Sequence, residues 1–233
     1  MKILAIDTST ISGSVAVTED LRLLAEWTFP SAQTHNRRLL KMVDELLHEA
    51  GVALDAVDGL AVTIGPGSFT GVRIGMTTVK TLAWAANKPY AGVPSLDALA
   101  APLGYASQPV CACIDAHKKE VFCALYQPDG KGNQHRPGPF QVIPPDRLIE
   151  RIDKPTIFCG DGWLLYRDLL KKGLGDLAIE ASGPYHTIRA ASVALLARKM
   201  FLEGKAEDPV ASVPLYIRPS DAEINYPHLS GHL

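Results

Sequence analysis

The most restrictive stretch of this chain is a continuous apolar run at 60–64 that breaks into Gly65-Pro66-Gly67-Ser68-Phe69-Thr70-Gly71 and then into a second, longer apolar segment. A short run without polar alternation fits a strand covered on both faces. Residues 70–86 then place Val72, Ile74, Met76, Val79, Leu82, Ala83, Trp84, Ala85 and Ala86 around most of a helix. A helix apolar nearly all round is covered on more than one side. A chain carrying this strand–turn–helix unit must therefore build a sheet with helices laid on it. The second covered side of the helix can be the chain's own core or a partner subunit, and the sequence leaves both open. Gly71 and Gly75 stand four apart, so they line one stripe where another element can come close.

The same alternation extends along the chain. Residues 3–6, 14–18 and 23–29 read as three strands, with Ser12-Gly13 as the first turn. Residues 34–50 form an amphipathic helix, with Leu39, Leu40, Val43, Leu46, Leu47 and Ala50 on one face and Gly51 as its stop. Residues 90–93 are a strand, and Ser95 is placed to cap a helix over 96–103. A polar, turn-rich stretch at 104–109 marks a boundary. Beyond it, 110–116 and 121–126 flank His117-Lys118-Lys119-Glu120 as a hairpin. The Pro- and Gly-rich stretch at 128–139 reads as a loop. A helix at 146–152, a strand at 156–159 and helices at 163–172 and 190–202 complete the series. This order predicts an α/β protein with two similar lobes, 1–105 and 106–189, and a tail at 205–233. The helix at 190–204 is the element that can rejoin the first lobe.

Composition narrows the function. A formal net charge of −2 argues against a dedicated nucleic-acid binder. The basic pairs Arg37-Arg38, Lys118-Lys119 and Lys171-Lys172 read as solvated faces. The opening apolar stretch, stopped at Asp7, is too short for a signal peptide. No stretch approaches the ~18 apolar residues of a membrane helix. A cytoplasmic protein is expected. Cys111, Cys113, Cys123 and Cys159 contain no paired spacing for structural zinc and read as buried reduced thiols in strands.

Two segments could carry chemistry. Asp7-Thr8-Ser9-Thr10, at the end of the first strand, could bring a carboxylate to a metal–phosphate group, but it lacks the glycines of a phosphate cradle. The plainer reading is a polar turn in which hydroxyls and N–H groups satisfy Asp7. The Gly65–Gly71 segment stands where an anion could meet a helix N-terminus. It lacks the Gly-Lys-Ser/Thr of a P-loop, and its third glycine is one residue late for a dinucleotide fingerprint. Taken alone it is a tight turn with Ser68 or Thr70 as the helix cap.

The eleven residues Gly65-Pro-Gly-Ser-Phe-Thr-Gly-Val-Arg-Ile-Gly75 also resemble the signature of the TsaB (YeaZ) family and its catalytic relative TsaD. Ile3-Leu-Ala-Ile-Asp-Thr-Ser-Thr10, His35 with Arg38-Leu39-Leu40, Asp115-Ala-His-Lys-Lys-Glu-Val-Phe122 and Pro214-Leu-Tyr-Ile-Arg218 resemble the same family in the same order. The resemblance implies a two-lobed actin-like ATPase or sugar-kinase (ASKHA, ribonuclease H-like) fold. It implies a place in the system that adds a threonylcarbamoyl group to N6 of the adenosine beside the anticodon of tRNA. In that system a separate enzyme makes threonylcarbamoyl-adenylate, TsaD transfers the group, TsaB binds TsaD, and a small ATPase, TsaE, joins them.

A TsaD-type enzyme carries a His-x-x-x-His pair on its first helix. Here Leu39 follows His35 at that spacing, so the pair is missing. A non-catalytic scaffold or activator is therefore expected, binding a TsaD-type subunit through His35, Arg38, Leu39, Val72, Arg73, Gly75, Met76 and Val79. It would meet tRNA indirectly through the complex and could pair with itself when alone. No cofactor of its own is expected, beyond weak ADP or ATP binding in a cleft lined by Asp7, Asp115, Gly160 and Gly162. A stand-alone kinase or glycoprotease-like peptidase is the alternative.

Overall fold

The computed structural model describes residues 1–30, 36–130 and 134–218. The first lobe opens with an antiparallel meander of β1 (Lys2–Asp7), β2 (Ser12–Glu19) and β3 (Arg22–Pro30). Then come α1 (Asn36–Glu49), β4 (Gly59–Thr63), α2 (Phe69–Ala86) and β5 (Tyr90–Val93). The sheet runs β3-β2-β1-β4-β5, with β4 parallel to both β1 and β5. The helix α3 (Ser95–Ala100) leads to the second lobe.

The second lobe holds β6 (Val110–Asp115), β7 (Val121–Pro128), β8 (Gln134–His135) and β9 (Gln141–Ile143). Next are α4 (Pro145–Ile149), β10 (Thr156–Cys159), α5 (Asp161–Leu174) and β11 (Ala178–Glu180). Its sheet is ordered β11-β10-β6-β7-β8, with β9 also on β7. In each lobe an antiparallel hairpin is extended on one side by two parallel strands. The two lobes thus repeat one plan.

The packing explains the unbroken apolar strands. Side chains alternate across a strand. In β1, Leu4 and Ile6 face a core shared with α1 and α2, while Ile3 and Ala5 face a second core. That second core lies between the sheets and is built around α3 and α6 (Ala190–Leu202). The helix α6 packs on β1, β2, β4 and β5. The carboxylate of Glu26 on β3, almost wholly enclosed, clamps the start of α6. It accepts from the Arg189 guanidinium and from the Ala191 N–H. A third core, under α4 and α5, contains Phe158 stacked on Trp163. The four cysteines are free and buried in strands.

Several elements differ from expectation. Ser12 and Gly13 belong to β2, and the turn lies before them. Leu40 is exposed on α1, because the face toward the sheet is filled by Leu39, Val43, Leu46 and Leu47. Ser95 makes no cap: α3 starts from Pro94, and the buried Ser95 hydroxyl has no partner. The helix expected to reach 152 tightens into turns after Ile149. The strands β8, β9 and β11 were not anticipated, since two or three residues are too few to show a period. Among the described residues no helix is long and apolar enough to cross a membrane.

Candidate functional site

The turns at the ends of β1, β4, β6 and β10 meet between the lobes. In the first lobe the chain packs on itself. Asp7 is fully buried at the end of β1. Its Oδ1 accepts from the Ser9 N–H at 3.0 Å, the Ser9 hydroxyl at 2.6 Å and the Thr63 hydroxyl at 2.6 Å. Its Oδ2 is buried without a partner. Burial pushes the carboxyl from the ordinary 3.8 up to about 6, against those three bonds, and the nearby Asp161 adds a smaller push.

The glycine turn lies directly on this segment. The Ser68 N–H donates to Ser9 O at 2.7 Å, and the Thr8 hydroxyl donates to Gly71 O at 2.7 Å. A Cβ at Gly67 or Gly71 would come within 3.0 Å of the Ser9 or Thr8 carbonyl oxygen, and one at Gly75 would strike the Thr8 hydroxyl. These glycines allow backbone to meet backbone. Ser68 is the cap of α2, accepting from the Gly71 N–H at 3.2 Å, and the Val72 N–H donates to Ser68 O. The N–H groups of Ser68, Gly71 and Val72 therefore serve the fold.

In the second lobe, the Asp115 N–H donates to Asp161 at 3.1 Å. The Asp115 carboxylate accepts from the His117 N–H at 2.9 Å and faces the His117 ring at 3.1 Å. Asp161 is raised above the usual carboxylate range, chiefly by burial. His117, Lys118 and Lys119 turn the hairpin with φ of 56°, 52° and 63°, left-handed values that non-glycine residues rarely adopt in series. Gly160 and Gly162 are buried against β6, where a Cβ at Gly160 would meet Cys113 O and one at Gly162 would meet Ile114.

Among the described residues, two cavities lie on the turn side of the cleft between the lobes. The larger, 390 Å³, is lined by the glycine turn, the Asp115–His117 turn, Phe122 and the tail residues Leu215–Arg218. The smaller, 200 Å³, is lined by Ser9, Thr10, Ile11, Asp115 and Asp161 among others. Of the four residues expected to line a nucleotide cleft, only Asp115 does so. Asp7, Gly160 and Gly162 lie behind the walls. A phosphate entering the smaller cavity would face the Asp115 and Asp161 carboxylates, and the glycine turn's Ser68, Gly71 and Val72 amides are already paired, so the residues there fit poorly a nucleotide that carries no bound cation.

Residues 29–226 match the family model described as TsaD, tRNA N6-adenosine threonylcarbamoyltransferase. The tRNA threonylcarbamoyladenosine biosynthesis protein TsaB of Escherichia coli is 35% identical over 94% of this chain and 95% of its own length. The chain belongs to the TsaB (YeaZ) family. The solved structure of YeaZ from Pseudomonas aeruginosa superposes on this TsaB-family chain with a TM-score of 0.78 and 34% identity, covering 93% of this chain and 99% of that one. The fold is the two-lobed ASKHA fold. The activator of 2-hydroxyisocaproyl-CoA dehydratase from Clostridium difficile shares it, with a TM-score of 0.54 at 12% identity over 88% of this chain and 97% of that chain.

The residues expected to bind a partner of this TsaB-family chain fall into three groups. Leu39, Val72, Gly75, Met76 and Val79 are buried in the first lobe, so none is offered to a partner. The reason is register: on α2 these are the residues that face β1 and β4. Any side chain at Gly75 would meet the Thr8 hydroxyl and a Val62 methyl inside the lobe. Arg38 and Arg73 are exposed, and Arg73 lies 3.8 Å over the Phe69 ring. His35 lies outside the described residues. The exposed face of α2 is instead Phe69, Arg73, Thr77, Thr81 and Trp84, with Trp84 73% exposed. Only Arg73 of these was singled out from sequence, although their spacing of three to four residues traces one stripe.

Proposed function

We propose that this chain is a non-catalytic subunit that activates a TsaD-type transferase by docking against it with the exposed face of α2 and the adjoining Arg38 and Leu40 of α1. The packed turn between the lobes carries this reading. The glycine segment that signs the family is engaged with Thr8 and Ser9, and the Ser9, Thr10 and Ser68 hydroxyls that line the cavities beside His117 are already engaged with Asp7, Ser12 O and the Gly71 N–H. Trp84 suits an anchor, being large, aromatic and exposed. A TsaE-type ATPase and tRNA would be met through the assembly, and the same face could pair two copies of the isolated chain.

The test is incorporation of labelled threonine into unmodified tRNA by the purified system. Omitting the chain should abolish incorporation, and the chain alone should give none. Trp84→Arg should lower the affinity for the TsaD-type subunit by roughly tenfold or more, as expected for an interface anchor. Its own stability should change by less than about 0.5 kcal/mol, as for an exposed site. Full activity without the chain, or phosphoryl transfer or peptidase activity by the chain alone, would replace the reading with that of a stand-alone enzyme.

A further inference from the structure

The tail after α6 runs back along the first lobe and then crosses to the second. Glu207 bridges to Tyr90 at the edge strand β5, and the Leu215 N–H donates to Ile64 O at 2.7 Å beside the glycine turn. Tyr216 stacks on Phe69 with ring centroids 5.4 Å apart, and its hydroxyl accepts from Arg73 Nε at 2.9 Å. Two residues on, Arg218 has changed lobes. Its guanidinium donates to Glu120 at 2.6 Å and to Ala116 O at 3.2 Å, both on the β6–β7 hairpin. Leu215 to Arg218 also form one wall of the 390 Å³ cavity.

We infer that residues 215–218 are a strap that holds the two lobes at a set opening across the cleft, with Tyr216 as its first-lobe anchor and Arg218 as its second-lobe anchor. The lobes share the core around α3 and α6, which joins them on one side. On the turn side Ile217 of the strap packs against the edge of that same core, and there the strap ties Ile64 and Phe69 to Ala116 and Glu120. Both anchors suit a releasable contact. The side chains of Arg218 and Glu120 are 23% and 29% exposed, so the pair is strengthened by partial burial yet remains open to water. Tyr216 is exposed and grips through one ring face and one hydroxyl. Phe69 and Arg73 also belong to the exposed α2 face, so a molecule covering that face would compete with Tyr216 or reinforce it. That link rests on the docking reading, whereas the strap itself is a property of the isolated chain.

The experiment uses the isolated full-length chain, so failure of the docking reading would not affect it. Spin labels at Asp44→Cys on α1 and Asp168→Cys on α5, both exposed, report the distance between lobes, while the four native thiols are buried. Diluted in an excess of unlabelled chain, so that a paired copy adds no second set of labels, the unaltered strap should give one narrow distance distribution. Arg218→Ala should broaden it toward longer distances and speed amide exchange at Ala116 and Glu120 by roughly fivefold, the effect of losing one partly exposed charge-assisted pair. Tyr216→Ala combined with Arg218→Ala should broaden it further, with an unchanged far-ultraviolet spectrum showing that both lobes stay folded. A distribution and exchange rates in the double variant that superimpose on the parent would overturn the strap. Broadening in the double variant but not in Arg218→Ala would overturn Arg218 as the second-lobe anchor.

Discussion

Gly75→Ala should destabilise the first lobe even though alanine is the better helix former. The substitution places a Cβ within 3.0 Å of the Thr8 hydroxyl and 3.3 Å from a Val62 methyl. That hydroxyl is buried and donates to Gly71 O at 2.7 Å, so it cannot swing away without breaking a bond. Overpacking costs about 1–3 kcal/mol, and the broken hydrogen bond about 1 kcal/mol more. Replacing a helical glycine returns about 1 kcal/mol. The expected net loss is about 2 kcal/mol. Thr8→Ala alone should cost about 1 kcal/mol for the same bond. With the hydroxyl gone, Gly75→Ala becomes nearly free or mildly stabilising. The double variant should therefore be about as stable as Thr8→Ala, a coupling on the order of 2 kcal/mol. Urea unfolding followed by far-ultraviolet dichroism reads all four corners of the cycle. Additive losses would refute the reasoning, because they would mean that a neighbour other than the Thr8 hydroxyl, such as the Val62 methyl, opposes the new methyl group.

Asp7 makes a pH prediction whose sign differs from the usual carboxylate. Its folded value of about 6 lies above the ordinary 3.8, so the folded state holds the proton more tightly than the unfolded chain. Stability is greatest below the unfolded value and is lost as pH rises from about 4 to about 6, by about 3 kcal/mol in total. Asp7→Asn should lack that slope, and equal slopes in the two proteins would contradict it. Glu26→Ala should cost about 2 kcal/mol in urea unfolding, because the Ala191 N–H loses its acceptor and Arg189 its partner. A loss within about 0.5 kcal/mol, the range of an ordinary surface change, would mean that water replaces the carboxylate there.

The sequence by itself determined the parts whose pattern repeats over many residues. The apolar run at 60–64, the glycine turn and the long helix after it could form only a covered βα unit, and they did. The helix at 190–202 was legible from its own period, and the family was legible from the resemblance that Gly65–Gly75 carries. Which way each side chain faces was decided by tertiary structure. Val72, Met76 and Val79 look alike in sequence whether they meet a sheet or a partner. Their burial follows from the rotation of α2, and that rotation is set by Thr8 and Ser9 docking on Gly67, Gly71 and Gly75 from some sixty residues away. Glu26 with Arg189, and Glu120 with Arg218, are pairs of ordinary surface residues until the fold brings them together across 163 and 98 positions. No local period encodes such a meeting, since side-chain pairing between lobes depends on where the sheets stop.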